Sequence, residues 1–225
     1  MTRQTGSLTG PTRPAASGEA TSQVVFLHGY GADGEDLIGL AEPLAQYLPD
    51  TRFFAPNAPE RCVNNPMGWQ WFPIPWLDGS DPDAAAAAAG RAFAMLDAWL
   101  DDLLAQGIGP ERTALVGFSQ GTMMALQVAL RRKVALAGVV GFSGRLLRPE
   151  TLAAEIAARP PVLLVHGDED PMVPFASLAE AAAALEAAGV ETRTHVSRGV
   201  GHGIAPDGLG IALGFLRERL GVTAG

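Results

Sequence analysis

The stretch Val116-Gly117-Phe118-Ser119-Gln120-Gly121 decides the fold predicted for this chain. An apolar strand precedes it over residues 113–116, and an apolar, helix-forming segment follows it over residues 122–132. Glycines two residues before and two residues after the serine give the pattern G-x-S-x-G between a strand and a helix. Such a sharp turn strains the serine backbone and leaves no room for side chains at the flanking positions. The pattern therefore predicts an exposed serine nucleophile at a helix N-terminus. Because the pentapeptide is common, an ordinary turn is the alternative interpretation.

Apolar strands alternate with helical segments along the rest of the chain. The predicted strands are apolar runs at residues 23–27, 52–55, 113–116, 134–142, 161–165 and 191–196. The predicted helices have helical spacing or recognisable caps, at residues 37–48, 81–107, 122–132, 149–158, 176–188 and 209–220. This alternation predicts an α/β fold with a mostly parallel sheet and helices on both faces.

The N-terminal residues differ in composition from the rest of the chain. Residues 1–21 are rich in Gly, Ser, Thr, Pro and Ala, and they are predicted as a loose lead-in with an edge strand near residues 7–9. Residues 22–225 are predicted as a single domain, because their size suits one α/β core. The lead-in lacks the apolar segment of a signal peptide.

Composition excludes several classes of function. The net charge is -8 and no basic stripe exists, so we expect no nucleic acid partner. No run of 18 apolar residues exists, so we expect no membrane span. The single cysteine, Cys62, permits no intrachain disulfide and suits a reducing compartment, so a cytoplasmic location is expected.

A serine nucleophile needs a base, because a hydroxyl is a weak nucleophile at neutral pH. In this class of site the chain order is serine, then acid, then histidine. His202 lies late in the chain within a glycine-rich loop, so it is the predicted base. The three other histidines, His28, His166 and His195, are predicted to have structural roles.

The acid should follow a strand between Ser119 and His202. Asp168, Glu169 and Asp170 compete for this role in the turn after the strand at 161–165. Asp168 follows a glycine directly and is expected to bond to backbone N–H groups of the turn. Asp170 is therefore the predicted acid, with Asp168 as the second choice.

The oxyanion of an acyl-transfer intermediate needs two backbone donors. The N–H of Gln120 is one, and the N–H of Tyr30, in the loop after the first buried strand, is the other. The same loop also satisfies G-x-G-x-x-G over residues 29–34, which is the pattern of dinucleotide-binding loops. Against that alternative, Asp33 would put a carboxylate beside the pyrophosphate, and no acidic residue ends the next strand.

Four motifs together resemble the phospholipase/carboxylesterase family. They are Leu27-His28-Gly29, Gly117-Phe118-Ser119-Gln120-Gly121, the run from His166 to Pro174, and Gly201-His202-Gly203. The resemblance covers about residues 22–220 and implies a compact α/β-hydrolase fold. It implies Ser119, Asp170 and His202 as the catalytic triad and Tyr30 and Gln120 as oxyanion donors. Many members have glycine where this chain has Thr122.

The resemblance also implies a substrate pocket. Residues 67–72 look like the family's strap beside the active site, and the implied substrate-binding residues are Trp71, Phe72 and Val173. The alternative is that the two aromatic side chains are simply packed under a loop. Relatives often dimerise through this side, so the resemblance implies a homodimer.

The predicted function is a serine hydrolase that cleaves carboxylic esters, without a metal or other cofactor. Its expected partner is a small-molecule ester or thioester substrate. An acyl-protein thioesterase or a lysophospholipase would use the same triad and is the alternative. A non-catalytic binding module with the same fold is the third interpretation.

Overall fold

The computed structural model describes residues 8–222, which form one seven-stranded sheet and a separate two-stranded ribbon. The strands are β1 (Thr12–Arg13), β2 (Ser22–Leu27), β3 (Thr51–Phe54), β4 (Glu60–Arg61), β5 (Trp69–Gln70), β6 (Thr113–Phe118), β7 (Gly138–Phe142), β8 (Val162–Gly167) and β9 (Thr192–Ser197). The large sheet has the order β1-β3-β2-β6-β7-β8-β9, and β4 pairs with β5. All pairs in the large sheet are parallel except β1 with β3.

Helices cover both faces of the sheet. They are α1 (Gly34–Ile38), α2 (Ala41–Ala45), α3 (Pro75–Asp78), α4 (Pro82–Leu104), α5 (Gln120–Ala129), α6 (Pro149–Glu155), α7 (Ala176–Ala187) and α8 (Pro206–Arg219). Side chains of β2 alternate between the two faces. Val24 and Phe26 join the cluster with α1, α2 and α8, whereas Val25 and Leu27 join the cluster with α4 to α7. The predicted mostly parallel sheet with helices on both faces is confirmed.

Helix α4 begins as its sequence predicts. The Asp81 carboxylate accepts a hydrogen bond from the N–H of Ala84, and Pro82 occupies the first turn. Leu96, Leu100 and Leu103 form its buried stripe. Although α4 has 23 residues, neither it nor any other helix within residues 8–222 has the apolar length needed to cross a membrane.

Three elements differ from the sequence prediction. The single helix expected over residues 37–48 is two short helices, because Pro43 has no N–H and its ring crowds the carbonyl of Gly39. The strand expected over residues 134–142 begins only at Gly138, and Val134 is exposed. The edge strand expected near residues 7–9 lies instead at Thr12–Arg13; residues 8 and 9 form no strand, and residue 7 lies outside the described range.

The segment before β2 lies against the sheet. Besides the β1–β3 pairing, the N–H of Ala55 donates to the carbonyl of Pro11, and the N–H of Asn57 donates to that of Thr9. Leu8 and Ala15 are buried. The described part of the expected lead-in is thus packed on the edge of the sheet by backbone hydrogen bonds and two apolar side chains.

Candidate active site

Ser119 occupies the sharp turn between β6 and α5. Its backbone has φ of +54° and ψ of -115°, a conformation that residues other than glycine rarely adopt. A Cβ on Gly117 would lie 2.4 Å from the nitrogen of Thr122, and one on Gly121 would lie 1.8 Å from the oxygen of Leu27. Both positions therefore need glycine, as the sequence predicts, and the strained turn lifts Ser119 out of the sheet.

Asp170 and His202 form a direct hydrogen bond. The Nδ1 atom of His202 lies 2.8 Å from Oδ2 of Asp170, whose side chain is fully buried. The other carboxylate oxygen accepts the N–H groups of Met172 and Val173 at 2.8 and 2.9 Å. Burial alone would raise the pKa of the Asp170 carboxyl, but the hydrogen bonds from His202 and the two N–H groups outweigh it and lower the pKa. Asp170 is therefore held as a carboxylate facing the imidazole.

Asp168, the second choice for the acid, binds elsewhere. Its carboxylate accepts the N–H of Gly199 at 2.7 Å and the guanidinium of Arg198 at 3.1 Å. The hydrogen bond from Gly199 lowers the pKa of this carboxyl, and the one from Arg198 lowers it further. Desolvation opposes this shift only in part. Asp168 closes the loop that carries His202, and it makes no hydrogen bond to that histidine among the described contacts.

His166 lies closer to this pair than its predicted structural role implied. Its Nε2 is 3.3 Å from Oδ2 of Asp170 and 3.1 Å from the carbonyl oxygen of Val173, and the side chain is buried. The Asp170 carboxylate therefore lies between two imidazoles. The spacing of four residues across the turn was the signal for this contact in the sequence. By contrast, His195 lies away from these residues and pairs with Asp207 at 2.8 Å.

His202 packs beside the turn that carries the serine. Its ring lies 4.9 Å from the ring of Phe118, centroid to centroid. Since Nδ1 faces Asp170, the free Nε2 lies on the opposite side of the ring. The Ser119 hydroxyl makes no hydrogen bond within residues 8–222, so its contact with Nε2 of His202 stays a prediction. Such contacts are often long before substrate binds.

The loop after β2 passes directly beside Ser119. A Cβ on Gly29 would lie 3.3 Å from the Cβ of Ser119. Within the described residues, the N–H groups of Tyr30 and Gln120 have no hydrogen-bond acceptor, so both are available for a ligand. The Tyr30 side chain points to α3, where its hydroxyl donates to Asp78 at 3.0 Å. The arrangement thus offers two backbone donors near the serine, as expected for an oxyanion site.

The same loop does not have the features of a dinucleotide site. The Asp33 carboxylate caps α1 by accepting the N–H of Asp36, and the N–H of Gly34 donates to Asn57 at 2.8 Å. The N–H of Gly31 donates to the carbonyl of Trp69 at 2.8 Å. The N–H groups of Gly31 and Gly34 are therefore already bonded within the protein, and Tyr30 is left with an N–H that is open to a ligand.

His28 fixes the start of this loop as a neutral imidazole. Its Nε2 accepts the N–H of Ala58 at 2.9 Å, so its Nδ1 carries the proton and donates to the carbonyl of Gly29 at 2.8 Å. Burial lowers the pKa of His28 and outweighs the hydrogen bond to Gly29, which raises it. Protonation of Nε2 would remove the acceptor on which Ala58 depends.

We expect the free energy of unfolding to fall as pH falls from about 7 to 5, with His28 as one cause. The unfolded chain binds a proton at this histidine near its ordinary pKa of about 6.5, whereas the folded chain does not, so acid favours unfolding. One such group contributes at most about 1.4 kcal/mol per pH unit. Urea unfolding at pH 7.5 and 5.0 should show a smaller pH effect in His28→Gln than in the wild type. An equal pH effect in both proteins would contradict this role.

The side chain of Gln120 joins the serine turn to the strap, residues 67–72. Its Oε1 accepts the N–H of Trp71 at 2.9 Å, and its Nε2 donates to the carbonyl of Phe72 at 2.8 Å. Gln120 is fully buried, so both bonds lie in a dry environment. The amide thus holds the strap backbone directly above the nucleophile turn.

The predicted substrate-binding residues separate into two groups. Trp71 is fully buried, and its indole N–H donates to the carbonyl of His28 at 3.0 Å, so it is packed under the loop and lines no described cavity. Phe72 and Val173 line a cavity of about 170 Å³ together with Met123 of α5. Trp71 is therefore enclosed by interior contacts, and its role in substrate binding stays a prediction.

The comparisons with known proteins agree with this architecture. A sequence profile of the family described as Phospholipase/Carboxylesterase matches residues 14–220. Acyl-protein thioesterase 1 of Gibberella zeae is 31% identical to this chain, over 92% of this chain and 94% of that protein. Esterase YpfH of Escherichia coli is 29% identical, over 89% of this chain and 84% of that protein.

Solved structures agree as well. The crystal structure of esterase PE8 is 51% identical in sequence and has a TM-score of 0.90, covering 95% of this chain and 100% of that one. Arabidopsis thaliana SOBER1 is 25% identical with a TM-score of 0.77, covering 88% of this chain and 99% of that one. The predicted α/β-hydrolase fold is thereby confirmed, and this chain belongs to the phospholipase/carboxylesterase family.

Proposed function

We propose that this carboxylic ester hydrolase cleaves its substrates through an acyl-enzyme formed on Ser119. The observation that carries the proposal is the buried Asp170–His202 pair, with a hydrogen bond of 2.8 Å, beside a serine held at φ of +54°. An aspartate bound to Nδ1 holds the imidazole in the tautomer whose Nε2 can accept a proton. This is the arrangement that a serine nucleophile requires.

The proposed reaction proceeds in two halves. The Ser119 hydroxyl attacks the ester carbonyl while Nε2 of His202 takes its proton, and the oxyanion receives the N–H groups of Gln120 and Tyr30. His202 then returns the proton to the leaving alcohol as the ester bond breaks. Water, deprotonated by His202, then attacks the acyl-enzyme, and His202 returns this proton to the Ser119 oxygen as the acid is released. Asp170 stabilises the imidazolium in both halves without taking its proton.

The cavity lined by Met123, one helical turn after Ser119, has a size that favours short acyl groups. Its volume of about 170 Å³ lies below the roughly 300–1,000 Å³ typical of pockets for drug-sized ligands. A second cavity of about 350 Å³ lies along α4, with Phe72 and Pro73 lining both cavities. The activity that we propose first is therefore that of a carboxylesterase acting on short acyl chains. Acyl-protein thioesterase or lysophospholipase activity is the second candidate, supported by the several relatives that are named acyl-protein thioesterase 1.

The proposal is tested by active-site labelling together with a substrate panel. A fluorophosphonate should label Ser119, as identified by mass spectrometry of the digested protein. Initial rates on acetyl, butyryl and palmitoyl esters, and on the matching thioesters, should be highest for the short esters. Preference for long thioesters would favour the thioesterase alternative. Absence of both labelling and hydrolysis would leave the non-catalytic binding module.

Further proposals concern the domain, its location and its assembly. We propose that the hydrolase domain contains residues 22–225 and is extended toward the N-terminus by the described segment that packs on the sheet edge. We also propose that the protein is cytoplasmic, supported by its one cysteine, Cys62, which is free and buried. A homodimer is supported by exposed apolar side chains on the segment around the strap, namely Met67 and Trp76. Sedimentation velocity would measure this assembly.

A further inference from the structure

The loop after β7 is pressed against the nucleophile turn. Ser143 adopts φ of +46° directly after the strand, and its N–H donates to the carbonyl of Val165 at 2.9 Å. A Cβ on Gly144 would lie 2.4 Å from the Cβ of Thr122 and 3.0 Å from the carbonyl oxygen of Ser119. The backbone that carries the next residue, Arg145, is therefore fixed beside the catalytic turn. Strained backbone of this kind is concentrated at functional sites.

Thr122 explains why the loop takes this path. Its hydroxyl lies 2.8 Å from the carbonyl oxygens of both Gly117 and Phe142, which ties α5 to the ends of β6 and β7. Its methyl group would lie 2.5 Å from a Cβ on Gly144. The Thr122 side chain thus occupies the space beside Gly144 and sets the position of Arg145.

Arg145 is the one charged residue of the 170 Å³ cavity. The residues that line this cavity with it are apolar and come from the strap side, from α5 and from the segment after Asp170; they are Phe72, Met123, Met172 and Val173 with their neighbours. Arg145 is exposed, so its guanidinium is open to a ligand. An arginine over an apolar cavity can bind an anion while the cavity holds the rest of a molecule.

Several basic side chains elsewhere in the described part of the chain are held by acidic neighbours, whereas Arg145 is not. Acidic residues outnumber basic ones, 24 to 16. Arg131 and Arg132, at the end of α5, pair with Glu155 and with Asp97 and Asp101. In contrast, Arg145 has no ion pair or hydrogen bond to a side chain within residues 8–222. Arg145 also lines a neighbouring cavity with Glu150 and Glu180, but it forms no ion pair with either of them. Its guanidinium, at the edge of the acyl-sized cavity, is therefore free to pair with substrate.

We propose that Arg145 selects esters carrying an anionic group, a carboxylate or a phosphate, over neutral esters of the same size. This inference rests on the proposed function, because it assigns the substrate class of the Ser119 site. Guanidinium groups bind both anions through paired N–H donors, so the chemistry is shared. Bound in this way, the anion positions the ester over the cavity and toward the serine.

Two matched substrate pairs separate the sources of the anion. Monoethyl adipate and ethyl hexanoate have acyl chains of equal length that end in a carboxylate or a methyl group. 1-Butyrylglycerol 3-phosphate and 1-butyrylglycerol differ only by a phosphate on the alcohol side. The measured quantity is the ratio of kcat/KM for the anionic member to that for the neutral member. This ratio does not depend on how much of a preparation is correctly folded.

Three variants accompany the wild type. Arg145→Gln removes the charge and retains a polar side chain, and Arg145→Lys retains the charge without the paired donors. Lys133→Gln is the matched control, because it removes one positive charge at an exposed position after α5. If long-range attraction alone were responsible, Arg145→Gln and Lys133→Gln would have equal effects.

We expect the ratio for at least one pair to fall about 5- to 10-fold in Arg145→Gln, the size of one charge-assisted contact at a partly exposed site. The loss should be in KM, Arg145→Lys should restore part of the ratio, and Lys133→Gln should leave it at the wild-type value. The affected pair identifies the carboxylate or the phosphate as the bound group. Hydrolysis of both neutral esters with ratios unchanged by Arg145→Gln would overturn this inference alone. Absence of all hydrolysis and of phosphonate labelling would overturn it together with the proposed function.

Discussion

Replacement of Ser119 with alanine is expected to lower kcat for ester hydrolysis by about 10⁴- to 10⁶-fold, the loss typical of removing a nucleophile from such a triad. Alanine cannot form the acyl-enzyme, so the remaining rate comes from the oxyanion donors and from binding alone. Stopped and continuous assays on a short-chain ester measure the loss. Fluorophosphonate labelling at residue 119 should disappear in the same protein.

Ser143→Ala is a matched control for this variant. Ser143 is also a serine with positive φ, of +46° against +54° for Ser119, and it lies at the end of the next strand. Both variants place alanine in a strained conformation, so effects of backbone strain on folding are shared. We expect Ser143→Ala to retain at least about a tenth of the activity, because surrounding contacts and not chemistry are altered. Equal losses in the two variants would refute Ser119 as the nucleophile.

Replacement of Asp170 with asparagine is expected to lower kcat by about 10³- to 10⁴-fold, as for other triads in which the acid becomes an amide. The amide oxygen can still accept the N–H groups of Met172 and Val173, so the turn should be preserved. The amide NH₂ group then faces Nδ1 of His202, which favours the tautomer with the proton on Nε2. That tautomer cannot accept a proton from Ser119. The same NH₂ also meets Nε2 of His166, which donates to Val173 in the wild type.

Asp168→Asn provides the control for the acid. Asp168 is two residues away and also accepts a backbone N–H, but it bonds to Gly199 and Arg198 instead of a histidine. A rate within about threefold of the wild type is expected, as for a partly exposed polar contact. A larger loss in Asp168→Asn than in Asp170→Asn would exchange the two assignments.

Much of the fold follows from local sequence features. The buried parallel strands are continuous apolar runs, and α4 begins at an Asp-Pro cap, so these elements are recognisable without the structure. The errors arise where tertiary contacts override a local pattern. Residues 134–136 have the apolar character of a strand, but they precede the level at which the neighbouring strand β6 begins, and Val134 is exposed. The edge strand at Thr12–Arg13 has no apolar alternation and depends on its pairing with β3.

The site was less predictable than the fold, because its geometry depends on residues far apart in sequence. The choice of Asp170 over Asp168 agrees with the hydrogen bond to His202, 32 residues away. The contact of His166 with the same carboxylate was missed, since a histidine ending a strand is usually a structural residue. The resemblance of residues 67–72 to the family's strap predicts Trp71 in the pocket, but a sequence cannot distinguish a pocket aromatic from one packed under a loop. Only the structure shows its full burial and its indole bond to the carbonyl of His28.

The side-chain amide of Gln120 forms hydrogen bonds to main-chain atoms of residues 71 and 72, not to their side chains. Substitution along the pocket wall therefore leaves that anchorage chemically intact. A library that randomises positions 72–76 is expected to change which acyl groups bind in the cavity. Every member retains the two backbone hydrogen bonds to Gln120 beside Ser119. Side chains of the pocket wall can therefore be changed without changing the backbone hydrogen bonds that hold the wall, which makes this enzyme a suitable starting point for engineering substrate range.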